Sequence, residues 1–168
     1  TGIFDFYQFW LNQPDTSVEY LLKIYTVYSK PEIESILAEH QSAPEKRFAQ
    51  QALAKGVTEV VHGTTSAKAA INLTELLFGN KKIGMLSATE IEGIALLLPT
   101  LKLSDDRPKI TLVDALVETE LASSKTEARQ LIKQNAISIN GEKITDDTLE
   151  IQSLAILKRG KNKFALVK

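Results

Sequence analysis

Along the first hundred residues the apolar positions recur every three or four places, and each recurrence is opened by a helix-starting signal. Phe6, Phe9 and Trp10, with Phe4 beside them, form an aromatic stripe at helical spacing that Pro14 terminates. Val18, Leu21, Leu22 and Tyr25 then repeat at i, i+3, i+4 and i+7, the signature of a second amphipathic helix. Ser29-Lys-Pro-Glu32 is a capping box, in which the hydroxyl takes one orphan amide and the glutamate reaches back to another. It leads into a face of Ile33, Ile36 and Leu37. Ser42-Ala-Pro-Glu45 opens a longer helix faced by Leu53, Val57, Val60 and Val61, with Gly63 suited to the left-handed residue beyond its end. Ser66 to Phe78 forms another helix, closed by Gly79, and Ser87-Ala-Thr-Glu90 starts a last one carrying Ile91, Ile94 and Leu98 up to Pro99. Short connections between such elements predict a compact helical bundle over residues 1–98.

The period is lost at 99–109, a stretch with two prolines that reads as a linker. Beyond it the pattern is different. Thr111 to Glu118 and Ser124 to Gln134 predict two short helices, the second opened by the capping box Ser124-Lys-Thr-Glu127. Ile137 and Ile139 then alternate with polar residues up to Asn140-Gly141, a two-residue hairpin signal. A second hairpin is expected around Gly160, between 155–158 and 163–168. The fold class is therefore a mostly α helical bundle domain, 1–98, followed after the linker by a small α+β module, 110–168, of two helices plus an antiparallel sheet.

Composition narrows the function classes. The 168 residues are 43% hydrophobic and 24% charged, as in ordinary globular chains. The absence of cysteine excludes a disulfide scaffold, a thiolate zinc site and a cysteine nucleophile. No apolar run approaches the ~18 residues of a membrane span, and the aromatic, acidic start does not resemble a signal peptide. Neither secretion nor membrane insertion is expected. The net charge of −1 conceals an asymmetry: residues 1–106 carry a net of −4 and residues 107–168 a net of +3. An acidic first part followed by a basic second part points to an anionic partner for the latter.

Candidate chemistry lies in the cations. The chain contains no Gly-rich phosphate loop, HExxH or GxSxG motif, and its two histidines, His40 and His62, each stand alone near a helix end. Catalytic and metal-ligating residues are accordingly read as none. Lys125, Arg129 and Lys133 recur every four residues, so they share one stripe of the helix that Ser124 opens, opposite Ala128, Leu131 and Ile132. In the second hairpin, Lys158, Arg159, Lys161 and Lys163 fall within six residues containing no acid. These seven cations are the candidate RNA-binding set. A membrane surface is the poorer partner, since no exposed apolar helical face accompanies the charge.

These segments are recognisable. Leu112-Val-Asp-Ala-Leu-Val117, Ser124-Lys-Thr-Glu-Ala-Arg-Gln-Leu-Ile132 and Ala136-Ile-Ser-Ile-Asn-Gly141 resemble the S-four-type RNA-binding module. This chain has Lys125 where many members carry Arg, and Asn135 where many carry Gly. Asn accepts a left-handed backbone, whereas Lys lacks the bidentate fork of Arg. Phe6-Tyr-Gln-Phe-Trp-Leu-Asn12, Pro44-Glu-Lys-Arg47 with Ala49-Gln50, Val60-Val-His-Gly63 and the ending Lys158-Arg-Gly-Lys-Asn-Lys163-Phe164 resemble the C-terminal half of bacterial-type tyrosyl-tRNA synthetases.

The resemblance implies a helical anticodon-binding domain followed by a tail module that meets the long variable arm of tyrosine tRNA. Lys125, Arg129, Lys158, Arg159, Lys161 and Lys163 match basic positions of the tail pattern, and Lys133 joins them by its spacing alone. The family's HIGH-type and KFGKS-type ATP motifs are absent, so the chain is expected to be a tRNA-binding fragment without catalysis or cofactor of its own. The resemblance further implies that the parent enzyme joins tyrosine to its tRNA with ATP and magnesium. It also implies a homodimer formed through the catalytic domain and a cytoplasmic location, with the mitochondrion as the alternative. The rival reading is a free-standing RNA-binding or ribosome-associated protein that uses the tail module alone.

Overall fold

The computed structural model describes residues 2–168 and divides into two compact units, Thr1–Thr74 and Glu75–Lys168. Helices α1 (Ile3–Leu11), α2 (Asp15–Tyr25) and α3 (Lys30–Ser42) belong to the first unit. Helix α4 (Phe48–Phe78) begins there and runs across the division. Its core gathers Val18, Leu22, Ile33, Ala49, Leu53 and Val57. Phe4 and Tyr7 of α1 are buried, Phe6 and Trp10 pack partly buried against this core with Trp10 tilted against Tyr25 at a ring-centroid distance of 5.1 Å, and Phe9 is exposed. Phe4, Phe6 and Trp10 of the aromatic stripe thus face inward as expected, and only Phe9 turns outward, its place on the buried side taken by Tyr7.

Glu32 accepts hydrogen bonds from the Ser29 amide (2.7 Å) and hydroxyl (2.6 Å), as the start of α3 requires. The segment after Ser42 departs from expectation. Pro44–Lys46 makes a single 3₁₀ turn, Arg47 adopts a left-handed backbone with φ 56°, and α4 starts only at Phe48. The Arg47 guanidinium holds this turn by donating to the carbonyls of Leu11 (3.1 Å) and Gln13 (3.2 Å). Further along α4, Val60 and Val61 lie open rather than on the buried face. Gly63, with φ 83° and ψ 163°, breaks the helix two residues later, in a region that only glycine enters readily.

The second unit contains α5 (Ala88–Ala95), α6 (Leu112–Glu118) and α7 (Lys125–Lys133). Its strands are β1 (Thr100–Leu101), β2 (Ile110–Thr111), β3 (Ile137–Ile139), β4 (Glu142–Lys143), β5 (Glu150–Ile151), β6 (Ala155–Arg159) and β7 (Lys163–Val167). One sheet runs β1-β7-β6-β3-β4, and β2 pairs with β5 in a second. Both expected hairpins are present. Asn140 (φ 50°) and Gly141 (φ 89°) turn β3 into β4, with Ile139 facing Glu142, as a two-residue turn with two positive φ angles demands. Residues 160–162 link β6 to β7, whose Arg159 faces Lys163. Leu112, Leu116, Ile132, Ile137 and Leu157 close the core between the two helices and the sheet.

Residues 99–109, expected as a linker, are built into this unit. Thr100 and Leu101 pair in parallel with Leu166 and Val167, and Leu103 donates its amide to the Lys168 carbonyl. Leu101 and Ile110 are buried, and Arg107 makes a two-pronged bond to Glu118 at 2.9 and 2.6 Å. The alternation in Thr-Leu-Lys-Leu is a strand signal, and the neighbouring prolines masked it. No helix among the described residues is long and apolar enough to cross a membrane.

Candidate nucleic-acid interface

Helix α7 presents the first group of cations. Ser124 caps it, accepting from the Glu127 amide at 3.2 Å. The reciprocal half of the box is displaced by one residue: the Glu127 carboxylate accepts from the amide and hydroxyl of Ser123, both at 2.6 Å. With Ala128 and Ile132 fully buried, Lys125, Arg129 and Lys133 stand exposed on the outer side. Arg129 and Lys133 border a shallow hollow of about 490 Å³ with Thr126, Gln130 and Gln134. Two of the three cations face acids. Lys125 Nζ lies 2.7 Å from Asp114 Oδ1, and Arg129 Nε lies 3.9 Å from Asp147 Oδ2. Lys125 and the Thr111 hydroxyl together hold the Asp114 carboxyl below its ordinary value.

The β6–β7 hairpin presents the second group. Lys161 and Lys163 are exposed, and neither makes an ion pair with the described residues. Lys158 forms no ion pair either; its ammonium sits 5.7 Å from the centre of the Phe164 ring. Arg159 behaves differently. One nitrogen donates to the Leu121 carbonyl at 2.6 Å and another to Glu127 Oε1 at 2.9 Å, and the side chain is only 27% exposed. It ties the end of β6 to the turn before α7. The Glu127 carboxyl is held low first by Ser123 and then by Arg159. The seven cations thus divide into Lys125, Arg129 and Arg159, which are engaged with acids; Lys158, half-buried against Phe164 with no acid beside it; and Lys133, Lys161 and Lys163, which are exposed without an ion pair among the described residues.

A cleft of about 700 Å³ adjoins the hairpin and was not legible in the sequence. One wall is the segment 76–85; the other is the β3–β4 turn with Ile156 and Lys158 of β6. Its trace in the sequence is a Lys81-Lys82 doublet beside an exposed Met85, which no motif flags. In the first unit, His40 is buried beside Asp15 (3.2 Å), and His62 packs edge-on against Phe6. Among the described residues, no three His, Asp or Glu side chains are grouped to hold a metal.

Two family models together match most of the chain. Residues 1–79 match the family model of class I tRNA synthetases (W and Y), and residues 90–167 match that of the tyrosine–tRNA ligase SYY-like C-terminal domain. A tyrosine–tRNA ligase of Bacillus pumilus is 43% identical, with 99% of this chain and 41% of that protein covered. Tyrosine–tRNA ligase 1 of Bacillus subtilis is 39% identical over the same shares. A C-terminally truncated mitochondrial tyrosyl-tRNA synthetase of Aspergillus nidulans is similar over 45% of this chain and 21% of its own, with 39% identity and a TM-score of 0.44. The chain thus falls among the class I tRNA synthetases. Within them it belongs to the tyrosine–tRNA ligase family and corresponds to its C-terminal part, spanning about two fifths of the length of those curated relatives.

Proposed function

We propose that this chain is the tRNA-binding part of a tyrosine–tRNA ligase. The second unit grips the long variable arm of tyrosine tRNA, and the helical unit lies toward the anticodon stem. The observation that carries this reading is the set Lys133, Lys158, Lys161 and Lys163, without ion pairs among the described residues and standing on a domain that matches the ligase's C-terminal family. Lysines without acidic partners release counterions when they meet phosphates, and that release dominates affinity for nucleic acid. The match of residues 1–79 to class I synthetases favours this reading over a free-standing RNA-binding protein. In the parent enzyme, which acts in the cytoplasm or an organelle as a homodimer, such binding holds the acceptor end at the tyrosylation site. Orientation of that kind converts binding energy into rate.

The test is equilibrium binding of the chain to a tyrosine tRNA transcript and to a tRNA with a short variable arm, across a salt series. Tighter binding of the long-armed tRNA is expected, with a log–log salt slope of about 0.7–0.9 per phosphate engaged. Absence of binding, or binding indifferent to salt, overturns the assignment.

A further inference from the structure

The cleft beside the hairpin has the chemistry of a nucleotide subsite. Ile83, Met85 and Ile156 give it an apolar lining, and Met85 is 69% exposed. An open thioether is adaptable and polarisable, and it makes favourable contacts with a flat aromatic ring. Two cations stand at the cleft, Lys82 and Lys158, and neither forms an ion pair with the described residues. Lys81, also at the cleft, is held by Glu90 at 2.7 Å.

Both walls are braced. Asn140 donates its amide to the Ile156 carbonyl (2.9 Å) and accepts the Ile156 amide on its side-chain oxygen (2.8 Å), which locks the β3–β4 turn onto β6. On the opposite wall, Glu90 binds both Lys81 and the Ser87 amide (2.8 Å), and the Met85 amide closes a turn on the Lys82 carbonyl (2.9 Å). A cleft with fixed walls loses little freedom when a ligand enters. Its volume of about 700 Å³ falls within the ordinary range for small-ligand sites. Lys158 also belongs to the hairpin, so the cleft continues the cationic surface.

We propose that the cleft accepts one unstacked nucleotide of the bound RNA, its base against Met85 and Ile83 and its phosphate on Lys82 and Lys158. Glu142, the acid at the cleft, repels phosphate and accepts a hydrogen bond from a base amino group, which fixes the polarity of entry. The inference rests on the RNA-binding reading and is narrower than it.

The experiment uses the whole chain, a tyrosine tRNA transcript and two exposed substitutions, with circular dichroism to verify the fold. Met85→Ala removes the base contact without adding charge and is expected to lower affinity about five- to tenfold while leaving the salt slope unchanged. Lys82→Ala is expected to lower affinity and also flatten the slope by about 0.7–0.9, one phosphate. A transcript containing 4-thiouridine should photocrosslink to residues 81–85 or 138–142, and Met85→Ala should strongly reduce that crosslink. Wild-type-like binding by both variants, or crosslinks confined to 161–163, overturns the subsite while the RNA-binding reading stands. Tight binding of free AMP or UMP at the cleft also overturns it, in favour of a small-molecule site. Failure of the unmodified chain to bind the transcript removes both.

Discussion

Helix α7 and the β6–β7 hairpin look alike in the sequence, each a short segment dense in cations, yet the fold uses them differently. On α7 the cations face acids supplied by other elements: Asp114 from α6 opposite Lys125, and Asp147 from the β4–β5 connection opposite Arg129. On the hairpin, among the described residues, only Arg159 is so engaged; Lys158 lies half-buried against Phe164, and Lys161 and Lys163 are exposed. A cation already beside a carboxylate gains less from a phosphate, because the carboxylate must be left behind. Charge density along a chain therefore overstates an RNA-binding surface wherever the fold folds acids back onto it. In the proposed interface the hairpin lysines are the stronger part, and Arg159 belongs to the scaffold that presents them.

The largest effect expected from this distinction is on stability. Arg159→Ala removes two hydrogen bonds made by a mostly buried guanidinium and leaves the Leu121 carbonyl without that donor. Hydrogen bonds to charged groups contribute about 1.5–3 kcal/mol, so a loss of about 1–3 kcal/mol is expected, read as a lower denaturant midpoint. Arg159→Lys should recover little of it, since an ammonium cannot reach both acceptors in a planar fork. An unchanged midpoint for Arg159→Ala would return this residue to the group of open cations.

Replacing Lys161 and Lys163 together with Ala is the counterpart. Both side chains are exposed and unpaired, so stability should stay within about 0.5 kcal/mol of the parent. Affinity for the tRNA transcript should fall, and the salt slope should flatten by up to about two contacts, each 0.7–0.9. If the slope is unaffected, the hairpin tip is solvated in the complex and the phosphates lie elsewhere.

What could be read from the sequence divides along similar physical lines. The caps at Ser29 and Ser87 and the turn at Asn140-Gly141 are local, set by residues within four positions of each other, and they appear where the pattern places them. The chemistry that names the chain was legible for the same reason, in contiguous runs such as Ser124 to Ile132. Long-range placement was not legible. Thr100–Leu101 read as linker because its partner, β7, lies more than sixty residues away. The exposure of Val60 and Val61 depends on what the rest of the fold brings to that side of α4, which periodicity does not contain. The pairing of Lys125 with Asp114, and the tie from Arg159 to Glu127, depend on tertiary packing and not on spacing. The seven-cation set was visible in the sequence, whereas its division into engaged and open members was not.

The smallest effect concerns the Lys125–Asp114 pair. Its partners are 62% and 31% exposed, so solvent screens the attraction and a contribution of about 0.2–1 kcal/mol at neutral pH is expected. The folded state holds the Asp114 carboxyl below its usual value, first through Lys125 and then through the Thr111 hydroxyl. A carboxyl lowered on folding contributes stability above its unfolded value, near 3.8, and loses it as the pH falls through the folded value. The stability difference between the parent and Lys125→Ala should therefore be present at pH 7 and fade below about pH 4, in denaturant titrations at fixed ionic strength. Because Asp114 already offsets this charge, Lys125→Ala should change the RNA salt slope by less than one contact. A drop of the full 0.7–0.9 would show that RNA displaces Asp114 from Lys125, and that α7 contributes to the grip as fully as the hairpin.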